Sequence, residues 1–145
     1  MTNAIPSTER SLPIALLRAR EGVMSPIRKM LAETGITEQQ WRVLRVLSEF
    51  GKTDATTLAE RSSLLFPSLT RIAATLRDKG LVTQTRDEKD RRRQFVEITK
   101  AGQKIIDERS QEAANIVSGF KDVLGEQEYE LLLDLLAKLD PNKRS

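Results

Sequence analysis

The chain has 145 residues, of which 39% are hydrophobic and 31% are charged, so it can bury a core of ordinary size and stay well solvated. It contains no cysteine and no histidine. These absences exclude a disulfide framework, a thiol-based redox switch and every catalytic triad or dyad that uses either residue. They also remove the commonest metal ligands, so we expect no metal, no cofactor and no enzyme.

The sequence predicts neither a membrane span nor a secretion signal. No apolar run approaches the roughly 20 residues needed to cross a bilayer. Residues 1–10 are polar and lack the apolar core of a signal peptide. We therefore expect a cytoplasmic protein, with residues 1–11 as a frayed tail.

A first helix is predicted over residues 12–33, and Gly35 is expected to end it. One face of this helix is apolar except for a single arginine, and its positions recur every three or four residues: Leu16, Arg20, Met24, Ile27 and Leu31.

Three more helices are predicted at short intervals. Thr37-Glu38-Gln39-Gln40 matches a capping box, which begins a helix that runs to about Phe50. A short helix follows over residues 57–62, capped from the segment 54–56. After a turn at residues 63–66 the next helix covers residues 67–79, because proline is well tolerated at a first helical position. A short helix, a tight turn and a second helix make a helix-turn-helix.

After Gly80 the hydrophobic pattern changes from a helical period to alternation. Residues 81–86 and 94–98 are predicted to form two strands of a β-hairpin around the charged loop 87–93. The segment 61–93 holds nine basic and four acidic residues, a net charge of +5, which leaves −2 for the rest of the chain. This concentration indicates a polyanion partner at one site, and a solvated charged face is the alternative.

The last two helices are predicted over residues 100–124, capped by Thr99, and 126–139, with Gly125 between them. Together with the first helix they carry more apolar surface than a small DNA-reading module needs. We expect this surface to join a homodimer, and the alternative is a monomer with a thick helical layer.

The predicted fold class is therefore mainly α with one β-hairpin. We expect a single domain, residues 1–145, in which a winged helix-turn-helix lobe (residues 37–99) is flanked by dimerisation helices (residues 12–34 and 100–140).

The helix over residues 67–79 is predicted to enter the major groove of double-stranded DNA. Its outward side near the N-terminus carries hydroxyls and an arginine suited to base edges and phosphates: Ser68, Thr70, Arg71 and Thr75. The hairpin loop adds three candidate phosphate or minor-groove contacts: Arg91, Arg92 and Arg93. We expect Asp90 to pair with Arg92 and shape the loop.

Other interpretations of these residues stay open. The hydroxyls and arginines are also compatible with an ordinary solvated surface, and the basic loop with RNA or an acidic protein. The aromatic content of 4% argues against a base-stacking platform for single strands.

The sequence resembles the MarR family of transcriptional regulators. The resemblance is carried by the helix Leu69-Thr70-Arg71-Ile72 that leads to Lys79-Gly80-Leu81-Val82, and by the loop and strand from Asp90-Arg91-Arg92-Arg93 through Ile98-Thr99, followed by Gly102. It extends from Leu12 to Leu139. It implies a homodimer joined by the terminal helices, with Arg92 in the minor groove and the helix of residues 67–79 in the major groove.

Two segments resemble, within this family, the subgroup that represses homoprotocatechuate (4-hydroxyphenylacetate) degradation operons. They are Ala15-Leu16-Leu17-Arg18-Ala19-Arg20-Glu21 and the stretch from Leu31 through Thr37-Glu38-Gln39-Gln40-Trp41-Arg42. This resemblance implies a repressor on an operator, expected to be palindromic, that is released by a small aromatic carboxylate.

Four residues are candidates to bind that effector. Arg20 interrupts an apolar stripe, and a guanidinium binds a carboxylate as a bidentate fork. Trp41 offers an aromatic wall, and Arg42 and Arg45 are further candidates. In the alternative interpretation, Arg20 pairs with an acidic side chain, Trp41 is plain core, and Arg42 pairs with Glu38 one turn earlier.

Two functions from other classes remain as rivals. An architectural DNA-binding protein without an effector would show little sequence preference and a binding curve governed by salt. A winged-helix module for protein interaction would show negligible DNA binding, or DNA binding unaffected by Arg91→Ala or Arg92→Ala.

Overall fold

A computed structural model describes residues 4–143 of the chain. In order, the elements are α1 (Leu12–Leu31), α2 (Glu38–Phe50), β1 (Thr53–Asp54), α3 (Ala55–Arg61), α4 (Phe66–Asp78), β2 (Val82–Arg86), β3 (Gln94–Ile98), α5 (Lys100–Leu124) and α6 (Glu126–Leu139). Short 3-10 turns lie at Thr8–Arg10 and Pro141–Lys143. The fold is mainly α-helical with a small sheet, which confirms the predicted class.

The chain divides into two compact units. The first comprises residues 28–111, and the second comprises the described residues up to 27 and from 112 onward. The first unit contains the helix-turn-helix and the hairpin. The division of labour between a DNA-binding lobe and dimerisation helices stays a prediction.

The core of the first unit is apolar and closed. Its fully buried side chains come from α2, α3, α4 and both long strands: Val43, Leu44, Leu47, Leu58, Leu69, Leu76, Val82 and Val96. Each such side chain contributes roughly 1.5–3 kcal/mol through removal from water. This core holds α4 against α2 and α3.

The sheet has three antiparallel strands in the order β1-β3-β2. The hairpin register runs from Val82 opposite Ile98 to Arg86 opposite Gln94. β1 adds a third strand by pairing Thr53 with Val96. The sequence did not predict β1, because a two-residue strand has no alternation of its own and depends on a partner far along the chain.

Two capping interactions lie where they were predicted, at Thr37 and within the segment 54–56. The Gln40 N–H donates to Thr37 Oγ1 and the Thr37 N–H donates to Gln40 Oε1, both at 3.1 Å, so the capping box is confirmed. Asp54 caps α3, since its Oδ2 accepts the Thr57 N–H at 3.1 Å. The strand β3 and the helices α5 and α6 have the predicted bounds.

Other boundaries were wrong by one or two residues. α1 ends at Leu31 rather than 33, and α3 covers Ala55–Arg61 rather than 57–62. α4 begins at Phe66, so Pro67 is its second residue, and β2 begins at Val82. Such shifts are usual at frayed ends. The predicted frayed tail falls partly on residues 1–3, outside the described residues, while Thr8–Arg10 forms a turn capped by Ser7.

The second unit exposes much of its apolar surface. The leucines of α6 are 38–53% exposed in the single chain: Leu131, Leu132, Leu133, Leu135, Leu136 and Leu139. Extensive exposed apolar surface on a single chain often marks an interaction site. Over residues 4–143, no helix combines the length and the hydrophobicity that a membrane crossing requires.

Candidate nucleic-acid interface

A sharp turn at residues 62–65 joins α3 to α4. The Ser62 N–H donates to Leu58 O and the Leu64 N–H donates to Ala59 O, both at 2.9 Å. Ser63 adopts a left-handed conformation (φ 52°), which few side chains adopt without cost. The Ser62 side chain is fully buried, and its Oγ has no hydrogen-bond partner among the residues described.

α4 presents a polar side opposite its buried residues. Thr70 and Arg71 are exposed, and Ser68 and Thr75 are half-buried. The Thr70 hydroxyl donates to Phe66 O at 3.0 Å and the Thr75 hydroxyl donates to Arg71 O at 3.1 Å. Each hydroxyl oxygen can still accept a hydrogen bond. This side can therefore offer acceptors and one exposed guanidinium to base edges or phosphates.

The C-terminal end of α4 leads directly into the hairpin. Gly80 (φ 76°) permits a Schellman ending, in which the Gly80 N–H donates to Arg77 O and the Leu81 N–H donates to Leu76 O, both at 2.9 Å. Arg77 Nη1 donates to Gln84 Oε1 on β2 at 2.8 Å. These contacts fix the hairpin beside the helix. We call β2, β3 and the loop of residues 87–93 the wing.

The tip of the wing is ordered by its own side chains. Asp90 Oδ1 accepts the Arg92 backbone N–H at 3.1 Å and Arg92 Nε at 3.3 Å, so the predicted pairing of these two residues is confirmed. Arg86 Nη1 donates to Arg91 O at 3.2 Å. The Arg92 side chain nevertheless stays 94% exposed. The tip therefore presents a guanidinium to solvent from a shaped loop.

Arg93 contacts other elements of the first unit, although its side chain stays 53% exposed. Its Nη2 lies 3.7 Å from Asp54 Oδ1, and its guanidinium carbon lies 4.9 Å from the centre of the Phe95 ring. Burial by itself would raise the pKa of Asp54, but the hydrogen bonds from Thr57 and the charge of Arg93 outweigh it and lower that pKa. Arg93 thus ties the wing to the start of α3, a role that the sequence did not reveal.

The four effector candidates lie in different surroundings. Trp41 is only 6% exposed. Arg42 Nε lies 3.2 Å from Glu38 Oε1, and its Nη1 donates to Ser63 O at 3.4 Å. Arg45 is exposed on α2, and Arg20 is exposed on α1 in the single chain. The predicted Arg42–Glu38 pair is confirmed, and the environment of Trp41 matches the plain-core alternative.

Two exposed apolar residues at the start of α4 were missed. Leu65 is 78% exposed and Phe66 is 51% exposed. From its sequence, Phe66 was predicted to lie in the turn, with the helix beginning at Pro67. The sequence shows three consecutive apolar residues before the proline, Leu64-Leu65-Phe66. Which of them are exposed depends on the conformation of the turn, and the sequence alone does not give this.

The comparisons with known proteins agree with this architecture. A model of the MarR family matches residues 36–93. The chain is 38% identical over 133 residues to the HTH-type transcriptional regulator FarR of Neisseria gonorrhoeae, which covers 92% of this chain and 91% of FarR. It is 42% identical over 95 residues to the homoprotocatechuate degradative operon repressor of Escherichia coli, which covers 66% of this chain and 64% of that repressor.

A solved structure extends the likeness over almost the whole chain. The crystal structure of NadR in complex with 4-hydroxyphenylacetate matches with a TM-score of 0.79 and 38% identity, covering 94% of this chain and 96% of NadR. The relatives named here are transcriptional regulators rather than enzymes.

Proposed function

Since the chain belongs to the MarR family of transcriptional regulators, we propose that it is a homodimeric repressor. It occupies a palindromic operator in double-stranded DNA and leaves it when a small aromatic carboxylate binds. The observation that carries the proposal is that the polar side of α4 and the shaped basic wing belong to one compact unit.

The DNA contacts follow from the dimensions and charge of this unit. A major groove about 12 Å wide admits one helix, and α4 offers Ser68, Thr70, Arg71 and Thr75 to it. Arg91 and Arg92 on the wing reach a phosphate or the minor groove, where a narrow groove strengthens the attraction for arginine. Arg93 contributes its charge nearby while it stays bound to Asp54.

The homodimer is supported by the exposed leucines of the second unit. Pairing α6 and its neighbours with a second copy removes this apolar surface from water. A two-fold dimer carries two copies of α4, and these can contact two operator half-sites that lie about one turn of DNA apart. Leu135→Glu should shift the protein to monomer in analytical ultracentrifugation, and the exposed Lys138→Glu on the same helix is the control.

The effector class is supported by what the relatives' names record. NadR was solved with 4-hydroxyphenylacetate, and the Escherichia coli relative is named for homoprotocatechuate degradation. In this chain Arg20 and Arg45 are the more available carboxylate anchors, because Arg42 already binds Glu38 and Ser63. The acid releases DNA only to the extent that it prefers the dimer conformation that does not fit the operator.

The test is fluorescence anisotropy with the DNA upstream of the gene, at physiological salt and with competitor DNA. Selective binding that weakens on addition of 4-hydroxyphenylacetate or homoprotocatechuate supports the proposal. Arg92→Ala should weaken binding. It should also reduce the slope of the logarithm of the binding constant against the logarithm of salt concentration by about one. Lys104→Ala, an exposed basic residue on α5 paired with Glu108, is the matched control and should bind as the unmodified protein does.

The rival functions predict different results in the same assay. Unselective binding governed by salt alone would favour the architectural protein. Negligible binding, or binding insensitive to Arg91→Ala and Arg92→Ala, would favour the protein-interaction module. Selective binding that ignores both acids would keep the repressor and reject this effector class.

A further inference from the structure

Two apolar side chains are exposed at the start of α4, the second helix of the helix-turn-helix. Among the described residues of the first unit, the large hydrophobic side chains that are exposed are Phe50, Leu65 and Phe66. Phe50 is covered on one face by the Arg61 guanidinium, whose carbon lies 4.1 Å from the ring centre. Leu65 is 78% exposed and Phe66 is 51% exposed. Among the contacts of the described residues, no cation covers either side chain, so the two adjacent residues present an apolar patch.

Leu65 also occupies a position that favours another type of residue. It is the N-cap of α4 and makes no side-chain capping hydrogen bond. Serine, threonine, aspartate or asparagine at an N-cap stabilises a helix by typically about 1 kcal/mol over an aliphatic residue. The helices α2 and α3 of this unit are capped by Thr37 and Asp54. A leucine here is costly for the helix, which indicates a benefit outside the fold.

The patch lies at the end of α4 that meets base edges in helix-turn-helix proteins. Phe66 and Thr70 are four residues apart and therefore share a face, and the Thr70 hydroxyl donates to Phe66 O. Arg71 follows on the exposed side. The exposed Arg71 and the net charge of +5 over residues 61–93 favour DNA over an apolar partner for this segment.

We propose that Leu65 and Phe66 read thymine in the operator by packing against its C5-methyl group. That methyl is the only apolar group on the base edges of the major groove, so an apolar pair distinguishes thymine from cytosine and the purines. The inference rests on the proposed function, because it assigns a specificity role within the same DNA-reading surface.

The experiment uses a duplex selected by the full-length protein from random-sequence DNA. Each thymine of the selected half-site is then replaced by deoxyuridine, which keeps the base pairing and removes only the methyl. The unmodified protein should lose about fourfold in affinity at one or two positions, the value of one buried methyl. Leu65→Ser and Phe66→Ala should bind thymine and deoxyuridine equally at those positions.

Two features of the design protect the result from loss of folding. Leu65→Ser introduces a good N-cap, so its thermal midpoint should be unchanged or higher, and its lost discrimination cannot come from unfolding. Phe50→Ala removes a phenylalanine of the same exposure and should keep the full deoxyuridine penalty.

Three results would overturn the inference. The unmodified protein could select a sequence and yet ignore every deoxyuridine, or Leu65→Ser could keep the penalty at every position. Leu65→Ser could also change the sedimentation behaviour of the free protein, which would mean that the patch packs against another copy. Failure to select any sequence at all would reject the proposed function itself, and the selection step reveals this first.

Discussion

The guanidinium of Arg93, at the base of the wing, lies 3.7 Å from the carboxylate of Asp54, which caps α3. One carboxylate therefore serves two elements: it accepts the Thr57 N–H and it holds the arginine that follows the wing loop. Because α3 is the first helix of the helix-turn-helix and precedes α4, this contact connects the wing to the helix-turn-helix.

Asp54→Ala should destabilise the protein by about 1 kcal/mol or more, because it removes both the cap of α3 and the anchor of Arg93. Urea unfolding at neutral pH measures this change. Asp78→Ala is the control, since Asp78 is exposed and pairs only with Arg77 in the part of the chain described, and its effect should stay within about 0.5 kcal/mol. Equal effects of the two substitutions would contradict the double role of Asp54.

The stability contributed by Asp54 should depend on pH in the acidic range. Its pKa in the folded protein is lowered from the ordinary value of 3.8. Because the pKa is lower in the folded protein, the stabilisation by Asp54 is complete above the ordinary pKa of the unfolded chain. It is lost as the pH falls through the lowered pKa of the folded protein. The difference in unfolding free energy between the unmodified protein and Asp54→Ala should therefore shrink as the pH falls below the ordinary value and through the lowered pKa of Asp54. A difference that grows on acidification would have the wrong sign.

Asp90→Ala should weaken DNA binding even though it removes a negative charge from the wing. The substitution frees Arg92, whose backbone N–H and Nε both bind Asp90, and the loss should be about fivefold, the effect of about 1 kcal/mol. Glu88→Ala removes an equal charge from an exposed position on the same loop and should strengthen binding slightly. Anisotropy titrations compare the two, and stronger binding by both variants would show that charge alone matters.

Gly102→Ala should destabilise the protein although the residue lies in a helix. A Cβ at this position would run into the carbonyl oxygen of Leu81 and would lie 2.8 Å from Ile98 Cγ1. Because a backbone carbonyl cannot move aside cheaply, we expect a cost of about 1–3 kcal/mol. Gly119→Ala, in the same helix, should be neutral or stabilising, because its Cβ would meet no atom of the described residues within 4 Å beyond its chain neighbours and its own helix backbone. Thermal unfolding that ranks the two variants in the opposite order would reject the close contact.

Ser62→Ala should leave stability unchanged or raise it. The buried Ser62 Oγ has no partner among the described residues, so its removal costs no hydrogen bond and relieves a desolvated hydroxyl. Thr53→Val is the contrasting variant, since the Thr53 hydroxyl donates to Gly51 O at 2.7 Å, and it should cost about 1 kcal/mol. Urea midpoints measured side by side decide between the two expectations.

The features that were predicted correctly depend on nearby residues. The capping box at Thr37, the cap at Asp54, the glycine ending at Gly80 and the Asp90–Arg92 pair each join groups within a few positions of one another. Hydrophobic period and turn chemistry were enough to locate α4, the wing and the two final helices. The absence of cysteine and histidine was equally decisive for the classes of function to consider.

The features that were missed depend on contacts between distant parts of the chain. β1 exists because Thr53 and Asp54 meet Val96 and Phe95, about forty positions later. Arg93 lies against Asp54 because the same strand pairing brings the two residues together, so its role could not be distinguished from that of Arg91 and Arg92 by sequence.

The sequence alone established that this chain forms a helix-turn-helix followed by a basic wing. The evidence was its composition, the spacing of its hydrophobic residues and its local helix caps. Tertiary structure decided which side chains of that unit remain exposed. Trp41 is buried, while Leu65 and Phe66 stand in solvent. The physical reason is that caps and turns are satisfied within a few residues, whereas burial is shared among all the elements that pack together.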